Sequence, residues 1–123
     1  MTNQNIHHYE EMEVVHTTFS NFTPFNEFEG LLSDTIEIMK NTPVKTWVID
    51  LTDVVILGKL HLNFFIDSCL PRVKHLNVHD VKIIKSKFNF DTSFERNLKR
   101  ALTSMHFNFQ YSYGIHELSK VHR

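Results

Sequence analysis

The residues of this chain that could do chemistry are nine histidines, a single cysteine and two aspartates near the end of an apolar run. Asp50 and Asp53 flank the end of Trp47-Val48-Ile49-Asp50-Leu51, and α/β proteins place many of their sites beyond a strand's carboxyl end. With His61 further along, they make one candidate catalytic set, a carboxylate pair served by an imidazole proton carrier. Plainer roles compete. Asp53 can cap a turn, and Asp50 can accept a backbone hydrogen bond where the strand stops. These plainer roles are the ones we expect.

Other chemistries find less support. Zinc sites generally take three or four ligands, and the familiar signatures pair His or Cys within a turn. Here His75 and His79 straddle a predicted helix end beside Asn77, His7-His8 lies near the N-terminus, and Cys69 has no second thiol to join it. The expectation is no metal and no cofactor. No Gly-x-Ser-x-Gly elbow occurs, and neither Ser68 nor Cys69 has one in another form. Cys69 falls on an apolar helix face and reads as a small buried side chain. Gly58-Lys59 is not a phosphate loop, because the Walker pattern needs glycine where Asp53 stands and a hydroxyl where Leu60 stands.

The elements that must position these residues alternate between strand and helix. Glu10 to Phe19 carries Met12, Val14, Val15 and Phe19 among polar residues and reads as a strand near a sheet edge, with a shorter one before it around Ile6 to Tyr9. Thr23-Pro24 opens a helix, with the Thr23 hydroxyl as N-cap and proline in the first turn. Phe25, Phe28, Leu32, Ile36 and Met39 form its apolar stripe, and Pro43 stops it. Trp47 to Leu51 is then a strand buried on both faces. Gly58 caps a second helix from about Lys59 to Leu70, or past Pro71 with a kink, and its broad apolar side suits packing on a sheet.

Val81 to Ile84 is the next strand, and Phe88 to Phe90 a loop. Asp91 or Thr92 caps a helix bearing Phe94, Leu98, Ala101, Leu102 and Met105 on one face. Phe107 to Tyr113 alternates four aromatics with three polar residues, a strand period of two. Gly114 ends it, and Ile115 to Val121 makes a closing helix. The order β(β)αβαβαβα predicts a single α/β domain over residues 1–123, with a mixed sheet of four or five strands, helices packed on it and residues 1–5 as a flexible lead.

Composition narrows the partners. The chain is 41% hydrophobic and 22% charged, with eleven Phe to fill a core and one cysteine, which suits a reducing, cytoplasmic setting. No window approaches a membrane span, so no membrane insertion is expected. Charge is segregated: residues 1–41 carry seven acids against Lys40, and residues 72–100 carry eight bases against three acids. The basic stretch lacks any recognised nucleic-acid motif, and the pI near 6.7 argues against a nucleic-acid binder. The two halves do offer complementary patches for a homodimer.

The strand ending Val48-Ile49-Asp50-Leu51-Thr52, set in this element order, resembles the STAS fold of sulphate transporters and anti-sigma-factor antagonists. It is most similar to small stand-alone bacterial proteins of that type, over about Tyr9 to Val121. In the antagonists the following helix opens with Asp-Ser-Ser/Thr-Gly-Leu, whose hydroxyl a partner kinase phosphorylates. Here those positions hold Gly58, Lys59, Leu60, His61 and Leu62, with no hydroxyl among them. Lys59 brings positive charge where a phosphate would bring negative. The resemblance therefore implies a non-enzymatic regulatory module that has lost its phospho-switch, with Asp53, Gly58, Lys59 and His61 as the face for an unidentified protein partner. Free amides at that helix start would favour an acidic or phosphorylated contact. A carrier of a small apolar ligand, its cavity lined by Phe, is the alternative, and the Asp50, Asp53 and His61 enzyme the third reading.

Overall fold

A computed structural model describes residues 5–20, 23–54, 58–86 and 92–112, with the backbone alone for 92–95. The predicted loop Phe88–Phe90, the closing helix Ile115–Val121, Tyr113, Gly114 and the Phe94 side chain lie outside the described residues. Five strands form one mixed sheet in chain order: β1 (Ile6–Tyr9), β2 (Val14–Thr18), β3 (Thr46–Asp50), β4 (Asp80–Ile84) and β5 (Asn108–Ser112). β1 runs antiparallel to β2, and every later pair is parallel. The predicted α/β architecture is therefore the one observed, with β3 at the centre of the sheet.

Helices fill each crossover: α1 (Phe25–Asn41), then α2 (Lys59–Phe64) running through a π-turn (Phe65–Cys69) into α3 (Leu70–Lys74), and last α4 (Thr92–Ser104). When parallel strands follow in order and each crossover is right-handed, every helix returns over the same face. One core accordingly joins Val15, Trp47, Ile49, Val81 and Ile83 of the sheet to Phe28, Leu32, Phe65, Leu70, Leu98 and Leu102 of the helices. The opposite face carries a separate small cluster, Val14, Val48 and Ile84. Its polar neighbours are set by register. His16 lies across from Val48 and Lys82, and Thr18 across from Asp50, Ile84 and Ser112.

A buried hydroxyl relay ties β2, β3 and α1 together. The Trp47 indole Nε1–H donates to Thr17 Oγ1 at 3.0 Å, Thr17 and Thr35 share a bond of 2.9 Å, and Thr35 Oγ1 donates to the Leu31 carbonyl at 2.9 Å. Trp47, Thr17 and Thr35 are all fully buried, so these bonds replace lost water.

Two local expectations need correction, and the structure decides a third between its alternatives. Glu10–Met12 is a 3-10 turn rather than strand, and Glu13 adopts the left-handed conformation at φ 58°. The turn lets β1 fold back on β2, and the Glu13 carbonyl then accepts the amides of Lys45 and Thr46 at the start of β3. Thr23 does not cap α1. Its hydroxyl donates back to the Ser20 carbonyl at 2.7 Å, and extended Pro24 takes the N-cap place. The second helix does pass Pro71, and it does so through the widened turn at Phe65–Cys69 immediately before. Proline lacks an amide hydrogen and crowds the carbonyl four residues back, which a π-turn relieves.

Candidate functional site

The sequence-predicted residues fall in the connection that leaves β3. Asp53 is exposed in the turn after the strand, and Gly58 and Lys59 are exposed at the start of α2. Gly58 is the extended N-cap, and no side chain caps the first-turn amides. Beside Lys59, Leu60 is 61% exposed, the largest exposure among the exposed large hydrophobics of the described residues. α2 has no fully buried residue although Leu60, Leu62 and Phe64 lie within it. A charged residue flanking an uncovered leucine at an uncapped helix start is the surface arrangement found there.

His61 has a different place from its neighbours. Its Nε2–H donates to the Thr23 carbonyl at 2.7 Å, which fixes that tautomer because a carbonyl only accepts. The ring stands edge-on to Phe25 and Phe28, with centroids 5.6 and 4.9 Å away. Nδ1 is buried without a hydrogen-bond partner and lies 3.2 Å from where a Gly58 Cβ would sit. His61 is thus a post that pins the start of α2 against the entry to α1. The glycine leaves the space that this ring needs.

Asp50 does not meet His61 either. Its Oδ2 accepts from His16 Nε2 at 3.0 Å, and its Oδ1 accepts the Thr52 amide at 3.0 Å together with the Thr52 hydroxyl. The carboxylate is only 4% exposed. Burial alone would raise its pKa, but the bonds from His16 and Thr52, with the attraction of His16, outweigh it and leave the group below the ordinary 3.8. The expected backbone bond at the strand's end is present. The histidine partner, 34 residues away, is the contact that sequence reasoning missed.

The pair sits on the sheet face opposite the helices. His16 and Asp50 are diagonal neighbours on adjacent parallel strands, two steps apart in register. A buried carboxylate that accepts one imidazole N–H orients the ring and fixes its tautomer. Among the described residues no hydroxyl or thiol bonds to His16, so the pair has a base and its orienting group without the nucleophile that acyl transfer needs. Lys82, two strands away on the same face, has its pKa lowered by burial, opposed by the charge of Asp80. Cys69 is fully buried, and burial pushes its thiol up to about 12, which removes it as a nucleophile.

Two surface hollows flank α1. One of about 310 Å³ is lined by Asn5, Ser20, Thr23, Glu27, Leu31 and Asp34, and another of about 340 Å³ includes Met39, Lys40, Thr42, His75 and Asn77. Neither wall includes a Phe, unlike the Phe-lined chamber that an apolar-ligand carrier needs. No helix among the described residues is long and apolar enough to cross a membrane. No family model, no curated protein and no solved structure matches this chain.

Proposed function

We propose that the chain is a non-catalytic interaction module of STAS-like type, which meets a protein partner through the connection that follows β3. The observation that carries this reading is the exposed pair Lys59 and Leu60 at the uncapped start of α2. An apolar side chain ringed by charge is a common core for a small interface. Asp53 lies earlier in the same connection, Gly58 directly precedes the pair, and His61 holds the turn in place from behind. The strand order, with one antiparallel lead strand and helices on a single face, supports the relation to the STAS fold. Lys59 selects an acidic side chain or a phosphate on the partner.

Affinity capture followed by titration tests the reading. Lys59→Glu and Leu60→Ser should each weaken the captured partner by about 1–3 kcal/mol, or roughly 5- to 150-fold. Both side chains are exposed, so folding is preserved and the melting temperature stays close to that of the parent. Lys99→Glu, an exposed charge reversal on α4, serves as the matched control. Equal effects of Lys59→Glu and Lys99→Glu would mean that only net charge matters and would remove the site.

A further inference from the structure

We propose that His7 and His16 form a two-histidine site for a divalent transition-metal ion, with Asp50 as the carboxylate that orients His16. The antiparallel register sets His7 directly opposite His16 on β1 and β2, so both side chains leave the same face of the sheet. Their ring centroids are 6.2 Å apart with planes at 66°. An ion bonded at about 2.0–2.1 Å to one nitrogen of each ring stands roughly 3.2 Å from each centroid. Two such rings then lie about 5 Å apart at a tetrahedral angle and up to about 6.4 Å apart at the limit. The observed spacing is within that reach, and small side-chain rotations of the exposed His7 close the remainder.

The second half of the argument is the carboxylate. Metal-bound histidines nearly always donate their other N–H to a carboxylate or carbonyl, which fixes the ring and its tautomer. His16 does so already through Nε2, leaving Nδ1 as the ligating nitrogen, with no hydrogen bond to it among the described residues. Asp50 is itself buried and anchored twice by Thr52, an arrangement that a surface ion pair does not require. Neighbouring His8 is excluded from the site. It projects from the opposite face, where its Nε2 meets Thr42 Oγ1 at 3.4 Å.

Two imidazoles with open positions suit zinc, nickel or copper and give no purchase to magnesium or calcium. The site lies at the margin of the sheet beside edge strand β1, so an ion enters without rearrangement of the core. Remaining coordination positions fall to water or to a donor on a partner.

Calorimetric titration of tag-free protein with zinc chloride decides the matter. The parent should bind one equivalent. His7→Gln, an exposed edge change that spares the fold, should weaken binding roughly tenfold or more, and Asp50→Asn by about 10- to 100-fold. If Asp50→Asn fails to fold, His7→Gln alone is decisive. His75→Gln and the double change His116→Gln/His122→Gln should bind as the parent does, and magnesium should give no heat. Absence of zinc binding by the parent at ~1 mM metal overturns the site. So does His7→Gln that binds like the parent, or binding lost only with His116 and His122.

Discussion

Thr17→Val leaves the shape of the core nearly unchanged and removes one oxygen from a relay whose proton directions are all fixed. An indole N–H only donates and a carbonyl only accepts, so Trp47 donates to Thr17, Thr17 to Thr35, and Thr35 to Leu31. Thr17→Val leaves the buried indole N–H without an acceptor, at a cost of about 1–3 kcal/mol. Thr35→Val leaves the Thr17 hydroxyl proton without one, at a similar cost of about 1–3 kcal/mol. The double variant leaves only the indole unsatisfied. It should therefore cost about as much as Thr17→Val alone, with a coupling of about 1–3 kcal/mol between the two positions. Urea unfolding reads this directly, since 2 kcal/mol moves the midpoint by roughly 1 M at a typical slope. Costs that simply add, or two single variants both within about 0.5 kcal/mol of the parent, refute the relay.

Other perturbations test the surrounding structure. Ile49→Asp places an uncompensated charge at a site 2% exposed in the central strand, and should abolish the cooperative unfolding transition; a folded, monomeric variant contradicts the packing. Asp50 has a folded pKa below 3.8, so its contribution is complete above that pH and drains away as the pH falls below it. The urea-midpoint advantage of the parent over Asp50→Asn should shrink under acid below about pH 3.8, and an advantage that grows there reverses the sign. Cys69 should resist iodoacetamide in the folded protein and react once urea unfolds it, because its thiol is buried and raised to about 12; prompt labelling in native buffer contradicts that burial.

How much the sequence discloses depends on whether a signal is local. The stripe Phe28, Leu32, Ile36 and Met39 is written at helical spacing, and all four are buried. Trp47 to Asp50 is buried throughout, and Phe109 and Tyr111 pack on the helix side while Asn108 and Gln110 are exposed, as the period of two implies. Pairings across strands leave no such trace. His16 and Asp50 meet only because β2 and β3 pair in one register, and a shift of a single residue would turn His16 to the other face. Thr17 and Thr35 look like ordinary polar residues until the sheet and α1 bring them together over Trp47. The turn at Glu10–Met12 is hidden for another reason: Glu, Glu and Met carry no turn signature, and tertiary pairing of β1 with β2 imposes it.

Hydrogen exchange on the complex with the captured partner tests the proposed interaction face most directly. Amides at Gly58, Lys59, Leu60 and His61 have no side-chain cap in the free protein, so a partner seated on them should slow their exchange markedly. Asp53 should follow, while the buried amides of β3 remain protected in both states. Protection that appears instead along α4 or the β5 edge, with Gly58 to His61 unchanged, would contradict the assignment.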